Sequence, residues 1–307
     1  MWTVNVLLTN KRINEQLEVI MIIVTEANGK LGRAIVERLL DRVPAAQIGV
    51  SVRDLEKARG LEERGVRVRR GDFDDAATLA HAFEGASQVL ITSVDRHGEP
   101  AVRQHRAAID SAKAAGVRRI LYTSHMGSSP TSPFAPMIDH AATEAALRES
   151  GVAFTSLRNG FYMDSALMML GDAPKTGELA APEDGLVAWT THPDLAEAAA
   201  IILSAESLDG VTPALTASEA IDLDGIAAIA SELGGRPIRR VVVSDAEYRT
   251  GLVARGTPEP VAEMFLGLFL AARQGDFARI DPTLGRLIGR PPMSLRDVLK
   301  AAISPAG

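Results

Sequence analysis

Apolar residues in the first half of the chain fall into short runs separated by stretches with helical spacing. Met21 to Thr25 is an apolar run of the kind found in strands buried on both faces. After a glycine-containing turn, Leu31, Ala34, Ile35 and Leu39 recur at helical spacing. Ala45 to Val52 predicts a second strand. Asp54 is placed to cap a helix running to Gly65, and Val66 and Val68 mark a third strand. Asp75 is placed to cap a helix carrying Leu79, Ala82 and Phe83. Gln88 to Thr92 reads as strand four, Ala101 to Ala115 as a helix closed by Gly116, and Arg119 to Thr123 as strand five. A Ser- and Pro-rich loop over Ser124 to Pro136, a helix over Met137 to Ser150 and a strand over Ala153 to Leu157 follow.

Strands alternating with helices predict an α/β fold: a Rossmann-type, doubly wound parallel sheet whose ligands bind at the carboxyl ends of the strands. Beyond Arg158 the regularity weakens. Gly177 to Trp189 resembles a small strand pair. Helices are expected over Pro193 to Ser204 and Leu223 to Leu233, and a strand over Ile238 to Val243. Ala246 to Phe277 reads as helical, interrupted at Pro258 and Pro260. The expected organisation is an N-terminal extension over 1–20, a nucleotide-binding domain over 21–157 that takes later strands from the C-terminal half, and a smaller α/β substrate lobe over 158–307, interleaved with it. Residues 1–20 read as an addition because Met21 is itself a competent initiator; an ordinary N-terminal strand or arm is the alternative.

The net charge of −6, without a long basic run, argues against nucleic acid as a partner. The cluster Arg67, Arg69, Arg70 alternates with Val66 and Val68 and reads as the polar side of a strand. The absence of cysteine removes disulfides, thiolate metal sites and a thiol nucleophile, and fits a reducing, cytoplasmic setting. No apolar run has membrane-spanning length, and Met1 to Ile20 lacks the pattern of a secretory signal. The six histidines form no compact ligand set for a metal.

The turn after strand one reads Thr25-Glu26-Ala27-Asn28-Gly29-Lys30-Leu31-Gly32. Glycine lets backbone N–H groups approach a pyrophosphate, and the helix N-terminus adds favourable dipole charge. Strand two ends at Ser51-Val52-Arg53. An acidic residue there would bind the 2′-hydroxyl of NAD, whereas Arg53 suits the 2′-phosphate of NADP(H). Asp72 and Phe73 end strand three, where adenine commonly lies; alternatively Asp72, Asp74 and Asp75 simply begin a helix. Ser93 follows strand four, and Thr123 and Ser124 follow strand five, all at the expected cleft.

In order, the glycine turn, Val43-Pro44-Ala45-Ala46-Gln47-Ile48, Val52-Arg53, Gly71-Asp72-Phe73, Ala112 to Val117, Tyr122-Thr123-Ser124, His140 with Thr143-Glu144, Leu157 to Tyr162 and Leu287 to Pro291 resemble the NmrA-like, atypical branch of the short-chain dehydrogenase/reductase superfamily. The likeness is nearest to its bacterial NAD(P)H:quinone oxidoreductases and triphenylmethane reductases. The resemblance implies cofactor on the N-terminal lobe, a small-molecule electron acceptor in a cleft against the C-terminal lobe, and hydride transfer to quinones or similar conjugated acceptors. His140 and Ser124 are the candidate catalytic residues, and Asn159, Phe161 and Tyr162 the candidate substrate wall. A homodimer is the expected assembly.

Two departures stand out. Glu26 occupies the first glycine of the family's G-x-x-G-x-x-G. One like-charge pair at about 5 Å and an effective dielectric near 20 costs roughly 3 kcal/mol, about a hundredfold in affinity, with Lys30 placed to offset part of it. Glycine there is expected to cost chain entropy in return. The superfamily's Tyr-x-x-x-Lys pair is also absent: Met126, Ala166 and Leu252 stand four positions after Tyr122, Tyr162 and Tyr248. Three functions remain open: a reductase, a catalytically silent NADP(H)-sensing regulator, and a relative that has lost dinucleotide binding through Glu26.

Overall fold

The computed structural model describes residues 20–205 and 208–303. The expected extension therefore lies outside the described residues, Ile20 apart. Seven parallel strands form the central sheet: β1 (Ile22–Thr25), β2 (Ile48–Val52), β3 (Arg67–Arg70), β4 (Gln88–Ile91), β5 (Arg119–His125), β6 (Ala153–Asn159) and β10 (Gly210–Val211). Their order is β10-β6-β5-β4-β1-β2-β3. The chain reverses direction across the sheet between β1 and β4, and a crevice opens there at the strands' carboxyl ends.

Helices cover both faces because β1, β2, β4 and β5 are buried throughout. On one face, α1 (Lys30–Leu40) packs against α8 (His192–Ala205), which in turn meets α12 (Thr283–Ile288). Their apolar sides, including Leu31, Ile35, Leu39, Leu195, Ile202 and Leu284, close one core. On the other face lie α3 (Ala76–Phe83), α4 (Glu99–Ala114) and α5 (Ala135–Ser150), contributing Leu79, Phe83, Ile109 and Leu147. Between α1 and α3 the expected helix after Asp54 is reduced to a 3₁₀ turn and the single-turn α2 (Arg59–Glu62). Asp75 caps α3, accepting hydrogen bonds from the N–H groups of Ala77 and Thr78. The β3 arginines are structural: Arg67 donates to the carbonyls of Glu84 and Ala82, and Arg69 to that of His81, satisfying the open end of α3.

A second core belongs to the smaller lobe. It joins α6 (Met163–Leu170), α7 (Ala173–Thr176), α9 (Leu223–Gly234), α11 (Glu259–Arg273) and α13 (Leu295–Ile303) around Phe161, Trp189, Phe269 and Phe277, while α10 (Asp245–Ala254) brings Tyr248 against it. The strand pair expected over Gly177 to Trp189 does not form. β8 (Glu178–Ala181) pairs in parallel with β11 (Arg239–Val242), and β9 (Trp189–Thr190) with β7 (Phe161–Tyr162). Parallel pairing needs a long connection, so adjacency in sequence was misleading there. β10 joining the sheet beside β6, with α8 and α12 on the first core, shows the two halves of the chain interleaved.

Candidate functional site

The crevice between β1 and β4 is a cleft of about 820 Å³. Gly29, Lys30, Leu31, Gly32, Arg53, Asp72, Phe73, Ser93 and Tyr162 line it, which brings together nine of the residues singled out from sequence. Gly29 is the N-cap of α1 and makes no side-chain cap, so the first-turn N–H groups of the helix stay available to a ligand. Gly32 is required by packing. A Cβ there would lie 2.6 Å from the carbonyl oxygen of Glu26 and 3.1 Å from Cα of Ala27. The helix can approach the end of β1 only without a side chain at this position.

Most of the remaining candidates sit behind the cleft, while Asn28 is exposed on the turn. Thr25 is buried, and its Oγ1 accepts from the Thr92 N–H at 2.9 Å. The Thr123 hydroxyl oxygen likewise accepts from the Ser93 N–H at 2.9 Å. Both hold the strand ends in register. Asn28 ties the turn to the segment after β2 by donating to the Asp54 carbonyl at 2.8 Å. Asn159 is buried, and Phe161 lies inside a ring cluster with Trp189, Phe277 and His125. Of the expected substrate wall, Tyr162 alone reaches the cleft, its ring 4.3 Å from that of His192.

Ser124 differs most from expectation. It is 2% exposed, and its hydroxyl donates to Glu144 at 2.8 Å. Ser156 and the bidentate guanidinium of Arg158 complete the same carboxylate. Burial pushes the Glu144 carboxyl up, but the hydrogen bonds from Arg158 and Ser124 prevail and hold it below the ordinary carboxylate range. Ser124 therefore belongs to a buried ionic knot joining α5, β5 and β6, which also accounts for Glu144 and Arg158 among the landmarks; the neighbouring Thr143 hydroxyl instead donates to the Asp139 carbonyl and meets Nδ1 of His105.

His140 does not line the cleft. It is half-buried on α5, and its Nδ1 lies 2.8 Å from the Tyr122 hydroxyl. Burial, and the neighbouring His125, His105 and His97, hold its pKa well below the usual histidine value, so the ring is neutral. Burial raises the Tyr122 phenol, which stays protonated. We assign its O–H as donor to Nδ1, leaving the His140 proton on Nε2.

Electrostatics in the glycine turn depart from the sequence reading. Lys30 does not offset Glu26. Its Nζ lies 2.6 Å from Asp164 on α6, whose other oxygen is 2.7 Å from Nδ1 of His192. The hydrogen bond from Lys30 is the main cause holding the Asp164 carboxyl below its ordinary pKa. Glu26 instead faces Arg53, 3.7 Å away. Burial raises its pKa; Arg53 opposes that, while Asp95 and Asp72 add to it.

Sequence reasoning missed Asp95, Arg96, His97, Gln104 and His192 in the lining. The first three follow β4 directly, and the rule that ligands sit beyond strand ends would have found them. His192 opens α8, one position before the helix start that the pattern predicts at Pro193. Its neighbour Asp194 is fully buried, accepting from the Thr191 hydroxyl at 2.7 Å and the Met293 N–H at 2.8 Å, with Arg290 at 2.7 Å. That set explains the late Leu287-to-Pro291 landmark.

Fold and cleft define a dinucleotide-binding α/β protein of the Rossmann type. The chain belongs to the NAD(P)H-binding family, whose model matches residues 27–205. It is 35% identical to quinone oxidoreductase 2 of Escherichia coli (strain K12) over 278 residues, covering 90% of this chain and 96% of that protein. The crystal structure of an NADPH-dependent quinone oxidoreductase from Escherichia coli, complexed with NADPH, superimposes with a TM-score of 0.87 at 34% identity. It covers 92% of this chain and 100% of that one. Triphenylmethane reductase from Citrobacter sp., complexed with NADP(H), gives 0.85 at 33% identity, covering 92% and 99%. Among the described residues no helix is long and apolar enough to cross a membrane, and no cluster could hold a metal ion.

Proposed function

We propose that the chain is an NADPH-dependent reductase that passes hydride to a quinone or a similarly conjugated small-molecule acceptor. The observation that carries this reading is the uncapped N-terminus of α1 facing an open cleft at the strand-order reversal, with Arg53 on the same cleft. The residues present suit the dinucleotide. The first turn of α1, from Gly29 to Gly32, would hold the pyrophosphate. Arg53 would meet the 2′-phosphate, Asp72 and Phe73 would flank adenine, and Ser93 would lie toward the nicotinamide. When bound, the nicotinamide supplies the hydride; the protein's task is to position the acceptor against it and keep water out. Tyr162 and His192, ring against ring at the cleft, are the proposed wall for a planar acceptor, with Asn159 and Phe161 supporting Tyr162 from behind. A quinone is readily reduced and needs little acid assistance, so the missing Tyr-x-x-x-Lys pair is compatible with turnover. His140, neutral with an Nε2–H and set behind the cleft lining, is the proposed orienting group, acting through hydrogen bonding and not by giving up a proton. The same reading puts the reductase in the cytoplasm as a homodimer, with residues 21–157 as the nucleotide-binding part and 158–307 as the substrate lobe.

A second reading, a nucleotide-sensing regulator without turnover, draws on Glu26 and on the absent Tyr-x-x-x-Lys pair. NADPH oxidation against a quinone panel, run beside nucleotide-induced melting shifts, separates the two. Oxidation with at least one quinone, together with stabilisation by NADPH, is the expected result. Stabilisation without oxidation by any acceptor would establish the regulator, and neither response would indicate a nucleotide-free relative.

A further inference from the structure

The backbone of Glu26 is pinned on both sides. Its N–H donates to the Ser51 carbonyl at the end of β2, and its own carbonyl accepts from the Gly29 N–H, at 3.0 and 2.9 Å. Its φ is +50°, the only left-handed value at a non-glycine among the described residues. This conformation carries the side chain toward the end of β2. There its Oε2 lies 3.7 Å from Nη2 of Arg53. Glu26 is the more enclosed partner, its side chain 25% exposed against 64% for Arg53. Both line the cleft, as does Asp72 at the end of the neighbouring β3.

Two chemistries meet here that dinucleotide sites usually keep apart. A carboxylate near the end of β2 accepts the ribose 2′-hydroxyl of NAD, whereas an arginine there pairs with the 2′-phosphate of NADP. This chain has the arginine on β2 and a carboxylate reaching it from β1. We infer that Glu26 is a coenzyme-specificity residue: it competes with a 2′-phosphate for Arg53 and offers an acceptor to an unphosphorylated 2′-hydroxyl, so that NADH serves beside NADPH. The inference rests on the reading of the cleft as a dinucleotide site. It differs from repulsion of the pyrophosphate, which both coenzymes carry and which would weaken them equally. A like charge beside the 2′-phosphate weakens NADPH alone. Arg53 remains the attractive partner, so binding of the phosphorylated coenzyme is diminished and not abolished.

The test is calorimetric titration of NADPH and NADH into wild type, Glu26→Gln, Glu26→Gly and Arg53→Ala, with melting curves for each. Glu26→Gln keeps the shape and the left-handed strain while removing the charge, so it isolates the electrostatic part. Wild type is expected to bind the two coenzymes within about tenfold of each other. Glu26→Gln is expected to tighten NADPH by about tenfold or more and to leave NADH unchanged or weaker. Arg53→Ala is expected to weaken NADPH and spare NADH. Equal tightening of both coenzymes would assign Glu26 to the pyrophosphate and overturn the inference. So would unaltered affinities in both glutamate variants, or a wild type already favouring NADPH by about a hundredfold. These results leave the reductase reading standing, provided NADPH binds and quinones are reduced. If no variant binds either coenzyme, both readings fall together.

Discussion

The Tyr122 hydroxyl lies 2.8 Å from Nδ1 of His140, joining a fully buried phenol on β5 to a half-buried neutral imidazole on α5. The phenol fixes which ring nitrogen carries the proton and which way the ring faces. His140→Ala is expected to lower kcat by about tenfold or more while the NADPH Kd stays nearly constant. Tyr122→Phe leaves Nδ1 without its partner, at about 1–3 kcal/mol of stability, and should lower kcat in the same direction. Steady-state rates beside melting curves check this. Reduced stability with unchanged activity per folded molecule would make the pair purely structural.

Gly32→Ala should be far more damaging than Gly29→Ala. At Gly32 the new methyl meets backbone atoms of Glu26 and Ala27 at 2.6–3.1 Å, and backbone cannot swing aside as a side chain can. At Gly29, where φ is −81°, the nearest atom is at 3.3 Å. The expected cost is about 1–3 kcal/mol at Gly32 and well below that at Gly29. Denaturant midpoints for the two variants decide it; equal costs would show that α1 can shift away from β1.

Glu26→Gly should stabilise the protein without nucleotide. From sequence, the entropy of an added glycine is a loss. The left-handed φ of Glu26 reverses that sign, because L-residues are strained there and glycine is not. A carboxylate with a burial-raised pKa is also removed. The expected gain is up to about 1 kcal/mol, read as a higher urea midpoint at neutral pH. A lower midpoint would mean that the pairing with Arg53 outweighs the strain.

Buried neutral histidines should make the fold sensitive to mild acid. His105 Nε2 accepts from the Val94 N–H at 3.1 Å, so its proton sits on Nδ1, 2.9 Å from the Thr143 oxygen. Burial brings its pKa down to about 4, and that of His125 to about 3. The unfolded chain binds protons that the folded one refuses, so this stability is present above about pH 6.5 and lost as pH falls toward 4. Each such histidine contributes a slope of about 1.4 kcal/mol per pH unit in that window. Urea melts at about pH 7.5, 6 and 5 should show the midpoint falling, with a shallower fall for His105→Gln. Identical slopes in the two proteins would show that His105 protonates freely in the folded state.

What the sequence by itself determined is what local pattern can encode. The alternation of buried runs and amphipathic stretches placed β1 to β6 and the helices between them, apart from the one between β2 and β3, which shrank to a 3₁₀ turn and a single helical turn. The glycine spacing placed the helix N-terminus at the end of β1, and Arg53 fell at the end of β2. Each depends on residues a few positions apart, whose backbone preferences act before any tertiary contact. Only the tertiary structure decided which charges meet. Lys30 is taken by Asp164, 134 positions away, leaving Glu26 to Arg53, and the Ser124 hydroxyl is spent on Glu144 inside the core. It also decided that β7 and β9 pair, because strands of two residues carry no period to read. A side chain's choice of partner depends on which distant segments the crossing connections bring beside it. That is set by the joint packing of both sheet faces and the second core, not by the pattern of any one segment.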